Sequence, residues 1–351
     1  MLTHQSAPFH LASPARASKG HRAARQEQVV DEPAPDVFVR GSIGREEAAV
    51  PPVARGDADL STVEHVRPWS NLERRIARGG VASPALSGVP ACPLGRLVDI
   101  GDTKMYCEIH GTGKPVLVLN GGFQTSDDYR FLVDRLTDHH QLLLIDHRGR
   151  GRTGDGEGEI TYPRIADDVV KMLDQLGLEK VSLVGHSEGG CVALELMRKY
   201  PERVEAAALI GTPLEVSEAD RRWFATEKVA MMEKRFDAVL PVAKAMYDSF
   251  LRLAPDPSRW ATVVDKIYTG WGQHRTWTPQ MLGQLHTPTL VFRTENDPFI
   301  PVEMFDRAVR SIPGARCCNI PEGRHNLPMS HPDEVTAAIT SFLDEVAPGA
   351  S

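Results

Sequence analysis

The stretch "VSLVGHSEGGCVAL", residues 181–194, holds a serine in a Gly-His-Ser-Glu-Gly turn, where an apolar run ends and apolar residues resume at helical spacing. A sharp strand-to-helix turn strains its central residue, and Gly185 and Gly189 are the small neighbours such a turn needs. The side chain at the apex, Ser187, is forced outward at the start of a helix, beside N–H groups that have no helical partner. A hydroxyl held there can attack a carbonyl. It is a weak nucleophile until a base takes its proton, and the base needs a third group to orient it. The elements around the turn must therefore bring a base and an acid to one place.

Those elements are readable from residue 96 onward. Short apolar runs bounded by turn residues read as buried strands: "KMYCEIH", "PVLVLN", "QLLLID", "KVSLVG", "AAALIG", "TLVFR" and "ARCCNIP". Amphipathic stretches such as "YPRIADDVVKMLDQLG" and "EGGCVALELMRKYP" lie between most of them, the first with Pro163 in its opening turn and Gly177 as its stop. Alternation of this kind predicts an α/β fold, a mostly parallel central sheet flanked by helices. The first run, followed by "HGTGKP", reads as an antiparallel hairpin leading into the sheet. In such sheets ligands bind at the carboxyl ends of the strands, and Ser187 lies at one of those ends.

With strand before and helix after, the GHSEGG turn resembles the nucleophile elbow of the α/β-hydrolase family, in particular its small serine hydrolases and esterases. The resemblance covers about residues 96–346. It implies the chain order Ser, acid, His. Asp297, on the loop of "TLVFRTENDPFIP", matches the acid, with Glu295 on the same loop and Glu215 after "AALIG" as rivals. His325, in "ARCCNIPEGRHNLPMSHPDEV", matches the base. Of the other histidines among thirteen, His331 reads as a boundary of the last helix, His186 as pointing back into the fold, and His139 and His140 as a solvated loop pair. The resemblance also implies an oxyanion hole of two backbone N–H groups, from Glu188 and from Gly122 in "NGGFQT", with Phe123 as the fallback donor. Asn120 stands where the family usually has His, which puts the rigidity of that loop in question. "DHRGRGRTG", residues 146–154, resembles the family's Asp-x-Arg-Gly-x-Gly turn, with Asp146 and Arg148 bracing it; it lacks the GK[ST] of a phosphate loop.

Residues 214–286 interrupt the alternation where the family inserts a helical cap. Four of the five tryptophans fall there, Trp223, Trp260, Trp271 and Trp277, along with Phe224, Phe236, Tyr247, Phe250 and Tyr268. Most must pack the cap onto the body, and Phe123, Trp223 and Trp271 are expected to face an apolar acyl substrate. The reaction implied is cleavage of an ester, lactone or thioester through an acyl-enzyme, without metal or cofactor. Same-fold C–C hydrolases, perhydrolases, aminopeptidases and non-catalytic binders are the alternatives.

Composition bounds the rest. The 351 residues are 41% hydrophobic and 25% charged with a net charge of −7, which offers no basic stripe for nucleic acid. No run approaches the roughly 18 apolar residues of a membrane span. Cys92, Cys107, Cys191, Cys317 and Cys318 form no CxxC, and an odd count fits a reducing, cytoplasmic setting. Residues 1–95, rich in Pro, Ala, Arg and Gly, read as a mostly disordered extension with one helix capped by Ser70. Their first stretch has the basic, Ser-bearing composition of a transit peptide, but Pro8 and Pro14 spoil the amphipathic helix one needs. The sequence does not set an oligomeric state.

Overall fold

A computed structural model describes residues 53–55, 92–239 and 242–346, the side chains of 53–55 and 92–94 excepted. The expected Ser70-capped helix, and the disorder expected up to residue 91 apart from 53–55, lie outside the described residues. The strands are β1 (Val53–Arg55), β2 (Cys92–Asp99), β3 (Lys104–His110), β4 (Lys114–Leu119), β5 (His140–Ile145), β6 (Val181–His186), β7 (Val204–Ile210), β8 (Thr289–Arg293) and β9 (Arg316–Asn319). They form one sheet in the order β1-β9-β8-β7-β6-β4-β5-β3-β2. Neighbours from β5 through β4 to β9 are parallel, whereas β2, β3 and β1 join by antiparallel pairing. The mostly parallel sheet follows from the strand-helix alternation.

Strand side chains alternate between two apolar cores, which is why the central runs read as continuously hydrophobic. Leu117, Leu143, Leu183, Leu209 and Val291 face one core, and Val116, Leu142, Val184, Ala208 and Phe292 the other. Helices α1 (Tyr162–Leu176) and α2 (Glu188–Lys199) contribute Val169, Met172, Val192 and Leu196 to the first. α1 begins at Thr161, whose hydroxyl accepts from the Arg164 N–H, and stops at Gly177 in the left-handed conformation. Between β7 and β8 the cap carries α3 (Glu218–Met232), α4 (Ala243–Leu253) and α5 (Trp260–Gly272). After β8 comes α6 (Val302–Ser311), and after β9 the closing α7 (Pro332–Val346), whose Val335, Ile339 and Phe342 fill the second core.

Three expectations change. β3 and β4 do not form a hairpin: β5 returns between them, pairing antiparallel with β3 and parallel with β4. The connecting Gly111 and Gly113 pass so close to the carbonyls of His140 and His139 that a Cβ would sit 2.9 and 2.7 Å from them. The hairpin partner of β3 is the preceding β2, which starts at Cys92, inside the segment expected to be disordered. His140 is not a solvated loop residue. It opens β5 opposite Lys114 and is buried, and the loss of water holds its imidazole pKa down.

Candidate active site

Ser187 adopts φ 52°, ψ −115°, a region strained for a residue with a side chain, and its N–H donates to the Ile210 carbonyl at the end of β7 (2.7 Å). The turn closes only because its neighbours are glycines. A Cβ on Gly189 would lie 2.0 Å from the Leu119 carbonyl oxygen, and one on Gly185 2.7 Å from that of Gly189. The end of β4 and the start of α2 can thus touch, and Ser187 projects from the carboxyl edge of the sheet.

The loops after β8 and β9 leave the same edge. His325 Nε2 lies 2.9 Å from Ser187 Oγ, and His325 Nδ1 lies 2.9 Å from Asp297 Oδ2. The other oxygen of Asp297 accepts the N–H groups of Phe299 and Ile300 at 2.8 and 3.0 Å, so the carboxylate is fixed by its own loop. The rivals lie elsewhere. Glu295 is exposed and accepts from Arg293, Glu215 pairs with Arg307, and His331 bonds the neighbouring Ser330 at the boundary of α7.

His186 does point inward. Its Nε2 is 2.8 Å from the His325 carbonyl oxygen, so that nitrogen carries the proton; its Nδ1 lies 2.7 Å from the Tyr129 hydroxyl, which donates its own proton to Gln124 Oε1 at 2.6 Å. Burial, with the neighbouring His325 imidazole second, pushes the His186 pKa down to about 3. A neutral His186 therefore braces the main chain of His325. The Tyr129 hydroxyl also accepts the Gly121 N–H at 3.0 Å, which ties the same brace to the loop after β4.

On that loop Asn120 is buried and donates through Nδ2 to the Ile145 carbonyl at 2.7 Å. It anchors the loop to the end of β5. Phe123, at φ 57°, is like Ser187 a residue with a side chain in the positive-φ region. Its ring lies 5.8, 5.9 and 5.7 Å from those of Trp260, Tyr268 and Trp271. An aromatic arc continues from Trp271 to Phe224 (5.6 Å), to Trp223 (5.5 Å), to Phe299 (6.3 Å), and ends edge-on against His325 (4.9 Å). Trp223 and Phe299 are the exposed members, while Trp260 and Trp277 are buried as packing.

Asp146 accepts from the Ser126 and Arg152 N–H groups at 2.7 and 2.8 Å, and Arg148 makes paired bonds to both Asp168 and Asp102. This is the bracing expected of the 146–154 turn. Sequence reasoning missed three features. Phe299 stacks on His325, Tyr129 bonds His186, and Arg150 forms a buried ion pair with Glu188, whose Oε1 also accepts from Trp271 Nε1 at 3.2 Å. Only the three arginines of the turn hinted at the last. Among the described residues no group of three or more His, Cys, Asp or Glu could hold a metal ion, and no helix is long and apolar enough to cross a membrane.

Sheet order and helix placement are those of the alpha/beta hydrolase fold, and the family model of that fold matches residues 114–254. The chain is similar to a putative carbamate hydrolase, RutD, of Azorhizobium caulinodans, at 26% identity over 70% of this chain and 97% of that one. It is also similar to the 2-hydroxy-6-oxo-6-(2'-aminophenyl)hexa-2,4-dienoic acid hydrolase of Metapseudomonas resinovorans, at 26% identity over 72% of this chain and 91% of the relative. Among solved structures, a thermophilic esterase from Thermogutta terrifontis superimposes with a TM-score of 0.57 at 26% identity, covering 70% of this chain and 94% of the other.

Proposed function

We propose that this protein is a serine hydrolase that cleaves an ester-like bond (carboxylic ester, lactone or thioester) in a small, largely apolar acyl substrate. The observation that carries the reading is the unbroken chain of two 2.9 Å contacts from Ser187 Oγ through His325 to Asp297. His325 Nε2 takes the serine proton as Oγ attacks the carbonyl carbon. Asp297 holds Nδ1–H and stabilises the imidazolium. The N–H groups of Glu188 and Gly122 donate to the oxyanion, which collapses as the imidazolium gives its proton to the leaving oxygen or sulfur. His325 then deprotonates a water that attacks the acyl-enzyme, and Ser187 is released. Phe123, Trp271 and Trp223 in the aromatic arc supply apolar surface for the acyl and leaving groups.

The names of two relatives add a carbamate and a 6-oxo-hexadienoic acid, each with a carbonyl carbon, as further electrophiles for the same nucleophile. An aminopeptidase loses its main support, because the Glu188 carboxylate that could hold an amine is matched by Arg150. Purified protein should react at Ser187 with a fluorophosphonate probe and hydrolyse p-nitrophenyl acyl esters. Ser187→Ala should stay folded and lose both, with kcat down by about 10⁵ or more. Full esterase activity in folded Ser187→Ala would refute the assignment.

A further inference from the structure

Glu188 creates an electrostatic conflict at this site. Its N–H is an oxyanion donor in the reading above, on which this inference rests, yet its side chain is an acid. Covalent geometry keeps a glutamate carboxylate within ~6 Å of its own backbone N–H. A negative charge so placed in a buried, low-dielectric setting opposes the negative charge that develops on the substrate oxygen.

We propose that Arg150 is a positioning and charge-matching residue for the oxyanion hole, removing the field of Glu188 while fixing where that residue sits. Both side chains are buried, with Glu188 at 4% and Arg150 at 2% exposure. Arg150 Nη2 donates to Glu188 Oε1, and Arg150 Nη1 donates to the Arg148 carbonyl at 2.8 Å. Arg148 is itself locked between Asp168 and Asp102, so the guanidinium of Arg150 projects from a rigid turn. Trp271 completes the arrangement from the cap. Its Nε1 donates to the same Glu188 oxygen, and its ring edge lies 2.6 Å from where a Cβ on Gly122 would be. One tryptophan therefore touches both residues whose N–H groups form the hole, and Gly122 must be glycine for it to do so.

A purely structural ion pair would give stability without influencing the oxyanion. The two roles separate in the rate of phosphonylation, because attack on a fluorophosphonate builds charge on the same oxygen and can be normalised to folded protein. Arg150→Met leaves Glu188 without its counter-ion and should slow labelling of Ser187, and kcat on a p-nitrophenyl ester, by about tenfold or more, with KM within about twofold. The double variant Arg150→Met with Glu188→Gln removes both charges and should recover most of that loss. Glu188→Gln alone keeps the acceptor oxygen for Arg150 and Trp271 and so guards against misfolding of the arginine variant. It should label at least as fast as the wild type.

Labelling rates indifferent to all three variants would overturn the inference alone, as would Glu188→Gln slower than wild type in folded protein or a double variant as slow as Arg150→Met. A wild type inert at Ser187 would instead remove the hydrolase reading and this inference with it.

Discussion

On the imidazole side of Ser187, Asp297, His325 and the His186 brace all come from the sheet body, and their polar groups find partners within it. On the side of the proposed oxyanion hole, a buried ion pair is closed by Trp271 from the cap, and atoms of that pair, Arg150 Nε and Glu188 Oε2, have no side-chain or backbone partner among the described residues. The body side is thus a finished hydrogen-bonded unit. The oxyanion side depends on how the cap is seated. Cap and body are also joined by Asp155, which binds both Arg259 and Lys266; burial pushes its pKa up, but the two cations outweigh this and hold it down to about 2.

Breaking the body side should have the larger effect. Asp297→Asn keeps the two backbone bonds to the loop but loses the charge that favours the imidazolium and its tautomer, so kcat should fall by about 10³–10⁴ with little change in KM. Steady-state kinetics on an acyl ester would check this, and a loss under tenfold would move the acid elsewhere.

Acid unfolding tests the burial behind both sides. Desolvation holds His186 and His147 at about 3 and His274 at about 4. An unfolded chain binds protons at these positions near the ordinary value of about 6.5. These folded-state values are depressed, so the stability from this source is fully present above about pH 6.5 and is lost as pH falls toward 4 and then 3. Each histidine contributes a slope of about 1.4 kcal/mol per pH unit in that window. Denaturant midpoints should drop between pH 7 and 5, and the drop should lessen in His147→Phe. An equal slope in that variant would mean that His147 does not stay neutral in the fold.

The smallest effect belongs to the rim. Trp223 and Phe299 are exposed and meet across the cap-body boundary beside His325. Trp223→Ala should raise KM for long-chain or aromatic esters by about three- to tenfold and leave acetyl esters nearly unchanged. Equal effects on both would place the tryptophan outside the substrate path.

The strand runs, the α1 boundaries and the glycine-flanked turn at Ser187 were legible because each is set by neighbours in sequence. Alternating apolar residues need two covered faces, and glycines flank a turn that tolerates nothing larger. Asp297 and His325 were legible through resemblance, since 110 and 28 residues of chain separate Ser187 from the first and the first from the second.

What tertiary structure alone decided is adjacency. The insertion of β5 between β3 and β4 turned an expected hairpin into a crossover and buried His140, because strand order is chosen by pairing and face coverage across the whole sheet. The meetings of Arg150 with Glu188, Trp271 with Gly122, and Phe299 with His325 are of the same kind. A residue's type records what partner it needs when removed from water, but only the packing of distant elements determines which partner reaches it.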